Sequence, residues 1–262
     1  MKKEKDVKRN ILKEIKNMAT EEYSKEEVEK LSKELEWIYK YKDSTLLPTK
    51  TSVSRLKEAS LENDKQTTNI FEELNKNKFL RDEKITKAQI GTLVHMCIQR
   101  LDESKEYTLK DIQNFINELI IKEIITEKEA ESIDENLLYK YTQSNIFKDL
   151  KRAKKVYKEQ AFYINIPSKE IYNNIDSEDN ILVQGVIDLY FIDKNENIIL
   201  VDYKTDYVAN GKEYEIINKY KKQIEIYKRA LENATGRKVY KSYLCLANRE
   251  WNCYEVNVDY SI

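Results

Sequence analysis

Two aspartates stand where aspartate is costly. Asp188 interrupts the apolar run ILVQGVIDLYFI (181–192), and Asp202 interrupts NIILVDYK (197–204), with Lys204 two residues on. Side chains alternate faces along a strand, so Asp202 and Lys204 share a face, their backbone positions about 7 Å apart. A carboxylate or an ammonium in an apolar strand is expensive unless it is paired or bound to a metal. Read alone, an ordinary ion pair explains Asp202 and Lys204 as well as a site does. If DKNEN (193–197) turns a hairpin, however, Asp188 comes opposite Asp202. Close carboxylates raise each other's pKa, and a divalent cation between them removes the repulsion. Oxygen donors without thiolates suit Mg²⁺, with Mn²⁺ as a substitute. A lysine beside such an ion can position a water molecule or help to deprotonate it.

The only histidine, His95, lies in QIGTLVHMCIQRLD, off the apolar stripe Ile90, Val94, Cys97, Leu101 and on the side of Gly91, Gln99 and Asp102. A lone helical histidine is most simply a surface or satisfied core residue. Gly91 argues for more, because glycine costs about 1 kcal/mol in a helix interior relative to alanine. It fits a helix start or a close approach of another backbone. Gln223 and Tyr227 share one face of a long helix, where a core tyrosine with a neighbouring amide is the plain account. Glu159, ahead of Ala161 and Phe162, reads by itself as a polar strand start.

Composition narrows the classes. With 46 Lys+Arg against 47 Asp+Glu the net charge is −1, so no global basic field marks a nucleic-acid binder. A single His excludes HExxH and two-histidine zinc centres. Cys97, Cys245 and Cys253 are too dispersed for a zinc knuckle, a Cys-ligated iron–sulfur cluster or a disulfide scaffold, and suit a reducing compartment. No apolar window is long enough for a membrane span, and MKKEKDVKRN has no apolar signal-peptide region, so a cytoplasmic location is expected. The 19 Tyr fit a compositional bias of an AT-rich genome. No GxxxxGK[ST] phosphate loop is present, since Gly211–Lys212 lacks both the upstream Gly and the following Ser or Thr; the chain is no motor.

These residues need elements to hold them. Helical patterns cover 5–18 and 25–40, the second with Val28, Leu31, Leu35 and Ile38 on one stripe and a Ser24–Glu27 capping box. KDSTLLPTKTSVSRLKEA (42–59) reads as a linker, with a helix restarting near Ser52–Ser54, and 61–82 as a polar loop or insertion. A helix follows at 87–102, then three or four amphipathic helices over 108–157, with starts at Thr108/Asp111 and Thr126/Glu129. The period then drops to two. Strands are expected at 159–166, 181–192, 197–204, 238–247 and 251–258, with a helix over about 212–235 closed by Gly236. The expectation is an α+β fold, a mixed sheet flanked by helices: a helical lead-in over 1–44, then one domain over 45–262 whose helical part is 84–157 and whose sheet core is 158–262.

GTLVH (91–95), EQAF (159–162), GVID (185–188), DYKT (202–205) and QIEIY (223–227), in that order, resemble the RecB-type nucleases of the PD-(D/E)xK superfamily, over roughly 88–250. LLPTKTSVSRLKEA (46–59) is similar to the segment that enters the nuclease domain of AddA-type helicase/nuclease proteins. The resemblance implies a restriction-endonuclease-like core and hydrolysis of DNA phosphodiesters, typically on single strands fed by a helicase during double-strand-break resection. It implies Mg²⁺ on His95, Asp188, Asp202 and the Tyr203 carbonyl. Lys204 would orient or activate the water. Glu159 would help to hold metal or substrate. Gln223 and Tyr227 would support the site or touch DNA. The implied partners are DNA and helicase domains, of the same protein or of an AddB-like partner. Three scattered cysteines set the chain apart from the branch with an iron–sulfur cluster. The rival readings are a non-catalytic docking or DNA-binding module, and a restriction- or phage-type nuclease on the same fold.

Overall fold

The computed structural model describes residues 24–36, 39–41, 43–56, 85–172 and 177–258. The expected helix over 5–18 and the polar stretch 61–82 lie outside them. The chain forms two compact units. The smaller unit, residues up to Pro48 with Pro167–Asp179, holds α1 (Lys25–Glu36), a 3-10 turn (Asp43–Leu46) and a one-turn helix (Ser168–Ile171). The Ser24–Glu27 capping box forms in both directions, at 2.9 and 3.3 Å. Leu31, expected on an apolar stripe, is exposed, and the other residues of that stripe lie outside the described side chains.

The larger unit, Thr49–Ile166 with Asn180 onward, carries the sheet. Its elements are β1 (Lys50–Ser52), α2 (Lys87–Arg100), α3 (Leu109–Ile121), α4 (Glu127–Glu131), α5 (Glu135–Gln143), α6 (Asn145–Arg152), β2 (Lys155–Pro167), β3 (Asn180–Ile192), β4 (Ile198–Lys204), α7 (Glu213–Thr235), β5 (Val239–Leu246) and β6 (Asn252–Glu255). The sheet runs β1-β3-β4-β5-β6, with β2 also paired to β3. β3 and β4 are the expected hairpin, antiparallel from Ile192↔Ile198 to Leu189↔Val201. β4 and β5 are parallel, and α7 is the crossover between them.

Local chemistry explains the boundaries. Thr86, Thr108 and Thr126 each begin a helix with a reciprocal capping box. Gly236 closes α7 at φ +66°, a left-handed position that suits glycine. β1 lies inside the stretch read as a linker. Three residues show no usable period, and they become a strand only because β3 offers a parallel edge at Leu182–Gln184. The helix after it begins as read, with 53–56 helical.

Helices α2, α3, α5 and α6 bury Val94, Ile112, Leu138, Phe147 and their neighbours against Leu189, Val201, Tyr203 and Cys245 on one face of the sheet. Asp202, one residue along from Val201 and Tyr203, faces the other way, where α7 packs with Tyr220, Ile224, Tyr227 and Leu231 buried. Cys245 and Cys253 pair as a disulfide across β5 and β6, Cα–Cα 4.0 Å, against the expectation of no such bond. The chain turns back within six residues, which sets the two positions directly opposite, a relationship that spacing alone did not reveal.

Candidate metal-dependent active site

The β3–β4 ladder ends at Leu189↔Val201, so Asp188 and Asp202 are the next opposed positions. Beyond the last bridge Asp188 replaces the ladder bond itself, since its Oδ2 accepts the Tyr203 backbone N–H at 3.0 Å. Asp202 is fully buried. Its Oδ2 lies 2.6 Å from Lys204 Nζ, and its Oδ1 accepts an N–H of Gln223 at 3.1 Å. Gln223 uses the same nitrogen to donate to Tyr227 Oη at 2.9 Å. Gln223 therefore holds Asp202 in place from α7, and Tyr227 one turn on holds Gln223. Burial first, then the charges of Asp202 and Asp188, push the Tyr227 phenol far up, so it stays protonated.

Burial works against the charge on Lys204. Asp202 and Asp188, with Asp206 beyond them, more than offset it and raise its pKa. The ammonium also lies 4.6 Å above the Tyr220 ring, whose hydroxyl donates to Asp206 at 2.8 Å. Lys204 is thus a fixed cation at neutral pH. Tyr220 and Asp206, which frame it, were not singled out from the sequence; Asp206 directly follows DYKT.

His95 comes from α2. Its Nδ1 lies 3.6 Å from Asp188 Oδ2. Burial lowers its pKa, with Lys204 acting in the same direction, while Asp188 and a hydrogen bond to the Tyr203 backbone act against it. The ring is neutral at neutral pH, the form that ligates a metal. Gly91 permits this approach. A Cβ there would lie 2.7 Å from Thr205 Oγ1, directly after Lys204. The close neighbour is the Thr205 side chain.

Glu159 enters from β2. β2 and β3 run in opposite senses, as the contacts Tyr157–Tyr190 and Phe162–Gly185 require. Glu159 has φ +51°, rare for a residue with a side chain and costing about 1–3 kcal/mol. Backbone kinks of this kind re-aim a side chain. Ligand atoms of Glu159, His95 and Asp188 all lie within 4.8 Å of one another. Burial, then the charge of Asp188, raises the pKa of Glu159. A neutral imidazole with two carboxylates, one of them destabilised by the other, is a donor set that fits a hard divalent cation. In this arrangement Glu159 stands with His95 and Asp188, while Asp202 is engaged by Lys204 and Gln223.

The rest of the fold locks these parts. Lys158 Nζ donates to the carbonyls of Gln99 (3.1 Å) and Leu101 (2.7 Å) at the end of α2, which ties β2 to that helix next to Glu159. The Phe162 ring covers Gly185, where a Cβ would meet it at 2.7 Å, and packs edge-on against Tyr227 at 5.5 Å. Behind β4, Tyr203 Oη is 2.7 Å from Tyr141 Oη on α5, with Trp251 beside both.

A family profile described as the PD-(D/E)XK nuclease superfamily matches residues 70–254. An ATP-dependent helicase/nuclease protein of Clostridium acetobutylicum is 38% identical over 244 residues, 89% of this chain and 19% of that protein. The protein of the same name from Thermoanaerobacter pseudethanolicus is 34% identical over 254 residues, 94% of this chain and 20% of that one. That of Clostridium kluyveri is 39% identical over 225 residues, 83% and 18% respectively. The chain spans about a fifth of the length of these curated relatives.

Proposed function

Because the chain belongs to the PD-(D/E)XK nuclease superfamily, we propose that it is a divalent-metal-dependent deoxyribonuclease that hydrolyses phosphodiester bonds, exonucleolytically, on single strands delivered by a helicase during double-strand-break end resection. The observation that carries this reading is the convergence of His95, Glu159 and Asp188 beside the buried Asp202–Lys204 pair. The helicase/nuclease names of the relatives support a motor elsewhere: helicase domains of the same protein or an AddB-like partner. In this reading residues 45–262 are the nuclease domain, 1–44 are its helical lead-in, and the protein acts in the cytoplasm. No described helix is long and apolar enough to cross a membrane.

His95, Glu159, Asp188, Asp202 and the Tyr203 carbonyl are the groups to hold the ion, Mg²⁺ with Mn²⁺ as substitute. Bound there, it supplies Lewis-acid charge that lowers the pKa of water and neutralises charge growing on the phosphate. Lys204 keeps its proton and donates N–H bonds to the attacking water and to a phosphate oxygen, so it orients and stabilises. Gln223 and Tyr227 fix Asp202, and through it the direction of the ammonium.

The test is cleavage of labelled single- and double-stranded DNA with Mg²⁺, Mn²⁺ or EDTA, beside Asp202→Ala and Lys204→Ala. Metal-dependent cutting lost in both variants supports the proposal. A wild-type chain that binds DNA and never cuts it contradicts it.

A further inference from the structure

Cys245 and Cys253 face each other across β5 and β6, at one end of the sheet. Hydrolysis of a phosphodiester needs no sulfur pair there. Inside cells thiols are kept reduced, and a disulfide that forms is mostly transient and catalytic or redox-sensing. The two sulfurs differ in access. Cys245 is fully buried, opposite Tyr203 in the β4–β5 register. Cys253 is half-buried, on a strand of four residues.

The turn that the bond closes is held in a conformation it would not keep by itself. Glu250 and Trp251 follow one another at φ +54° and +61°. Residues with side chains rarely adopt that region, and they persist there only where the surroundings hold them. Lys140 Nζ donates to the Glu250 carboxylate at 3.1 Å. Trp251 donates its indole N–H to the Leu137 carbonyl at 2.8 Å and its backbone N–H to that of Leu246 at 3.1 Å. The disulfide adds a covalent closure to these contacts. The Trp251 ring is buried and stands edge-on to Tyr141 at 5.1 Å and to Tyr203 at 5.8 Å. The Tyr203 backbone N–H in turn donates to Asp188. The state of the sulfur pair therefore bears on β4 through one side chain.

We propose that Cys253 and Cys245 are a reversible oxidation site whose reagent is a small hydroperoxide. The Cys253 thiolate attacks the O–O bond of hydrogen peroxide and becomes a sulfenic acid, and the other oxygen leaves as water. The Cys245 sulfur then attacks that sulfenic sulfur, a second water leaves with the Cys245 proton, and the disulfide closes. Two thiols have given two electrons to one peroxide. A dithiol reductant reverses the step: it attacks Cys253, Cys245 leaves as a thiol, and the second thiol of the reductant frees Cys253. Closure pins the Trp251 turn behind β4, and opening lets it relax. None of this rests on the nuclease reading.

The test uses the whole chain. After dithiothreitol, iodoacetamide in denaturant labels three thiols; after one equivalent of hydrogen peroxide it labels one, that of Cys97, as read by mass spectrometry. A second round of dithiothreitol, applied to the native protein, restores three. The closed form melts roughly 5–10 °C higher, the effect of closing a short loop in a chain of this size. The chain has 2 Trp, so Trp37→Phe leaves Trp251 as the sole indole, and acrylamide quenches it at least twofold more in the reduced form. Cys253→Ser melts with the reduced protein and does not respond to peroxide. Three labelled thiols after peroxide, or a closed pair that dithiothreitol cannot open in the native protein, overturns the oxidation site. Equal melting and equal quenching in the two states overturn its control of the Trp251 turn. These readouts stand whether or not the chain cuts DNA, so failure of either reading leaves the other in place.

Discussion

Lys204 Nζ and Asp202 Oδ2 lie 2.6 Å apart in a place where the carboxylate has no solvent exposure. Removing one partner of a buried pair leaves an uncompensated charge, at a cost of about 3–5 kcal/mol. Lys204→Met is therefore expected to lower the unfolding free energy by about 3 kcal/mol and to remove cleavage. Adding Asp202→Asn to it restores most of the stability and none of the activity. Urea unfolding of the two single variants and the double variant, beside a cleavage assay, checks both halves. Additive destabilisation would mean that the two groups are not coupled.

Gly91 and Thr205 make the second prediction. A methyl group at 91 meets Thr205 Oγ1 at 2.7 Å. Overpacking of this kind costs about 1–3 kcal/mol, against about 1 kcal/mol gained from helix propensity. Gly91→Ala should lower the rate of cleavage more than it lowers stability, because it pushes His95 away from Asp188. Thr205→Ala in the same chain should recover the rate and leave a protein slightly more stable than wild type. Thermal melts and single-turnover rates of both variants decide it.

Asp206 governs part of the acid limb. Burial alone would raise its pKa. Hydrogen bonds from Lys219 and Tyr220, with the charges of Lys219 and Lys204, more than offset that and hold it below the ordinary 3.8. A folded value below the unfolded one adds stability that is complete above the unfolded pKa and is lost as pH falls through the folded value. Asp206→Asn should therefore reduce stability at neutral pH and flatten its loss below about pH 4, measured as melting temperature against pH.

Cys97 is fully buried, and burial pushes its thiol up to about 12, with Arg100 pulling weakly the other way. The reactive species is the thiolate. A maleimide or iodoacetamide at pH 8 should leave Cys97 unmodified in the native chain and label it at once in denaturant, as read by mass spectrometry of the peptide.

Much of the site was legible because its groups break local rules. Asp188 and Asp202 stand inside apolar strands, and Gly91 stands inside a helix. In the structure each departure has a partner: the Tyr203 N–H, the Lys204 ammonium and the Thr205 side chain. Glu159 was not legible in this way. Its sequence context is that of any polar strand start, and what turns it toward His95 and Asp188 is a φ of +51°, which no residue type nearby announces. β1 was hidden for another reason. Three residues have no period of their own and pair only because β3 passes beside them. The Tyr141–Tyr203–Trp251 cluster joins positions far apart in the chain, so the pattern around each one showed only an apolar position.

The central claim is that His95, Glu159 and Asp188 together hold one divalent cation. The most direct measurement is Mn²⁺ binding followed by electron paramagnetic resonance, for the wild-type chain and for His95→Ala, Glu159→Gln and Asp188→Asn. The account predicts a saturable site in the wild type, weakened at least tenfold in each variant, with Mg²⁺ competing for it. Unchanged Mn²⁺ affinity in Asp188→Asn and Glu159→Gln would contradict it.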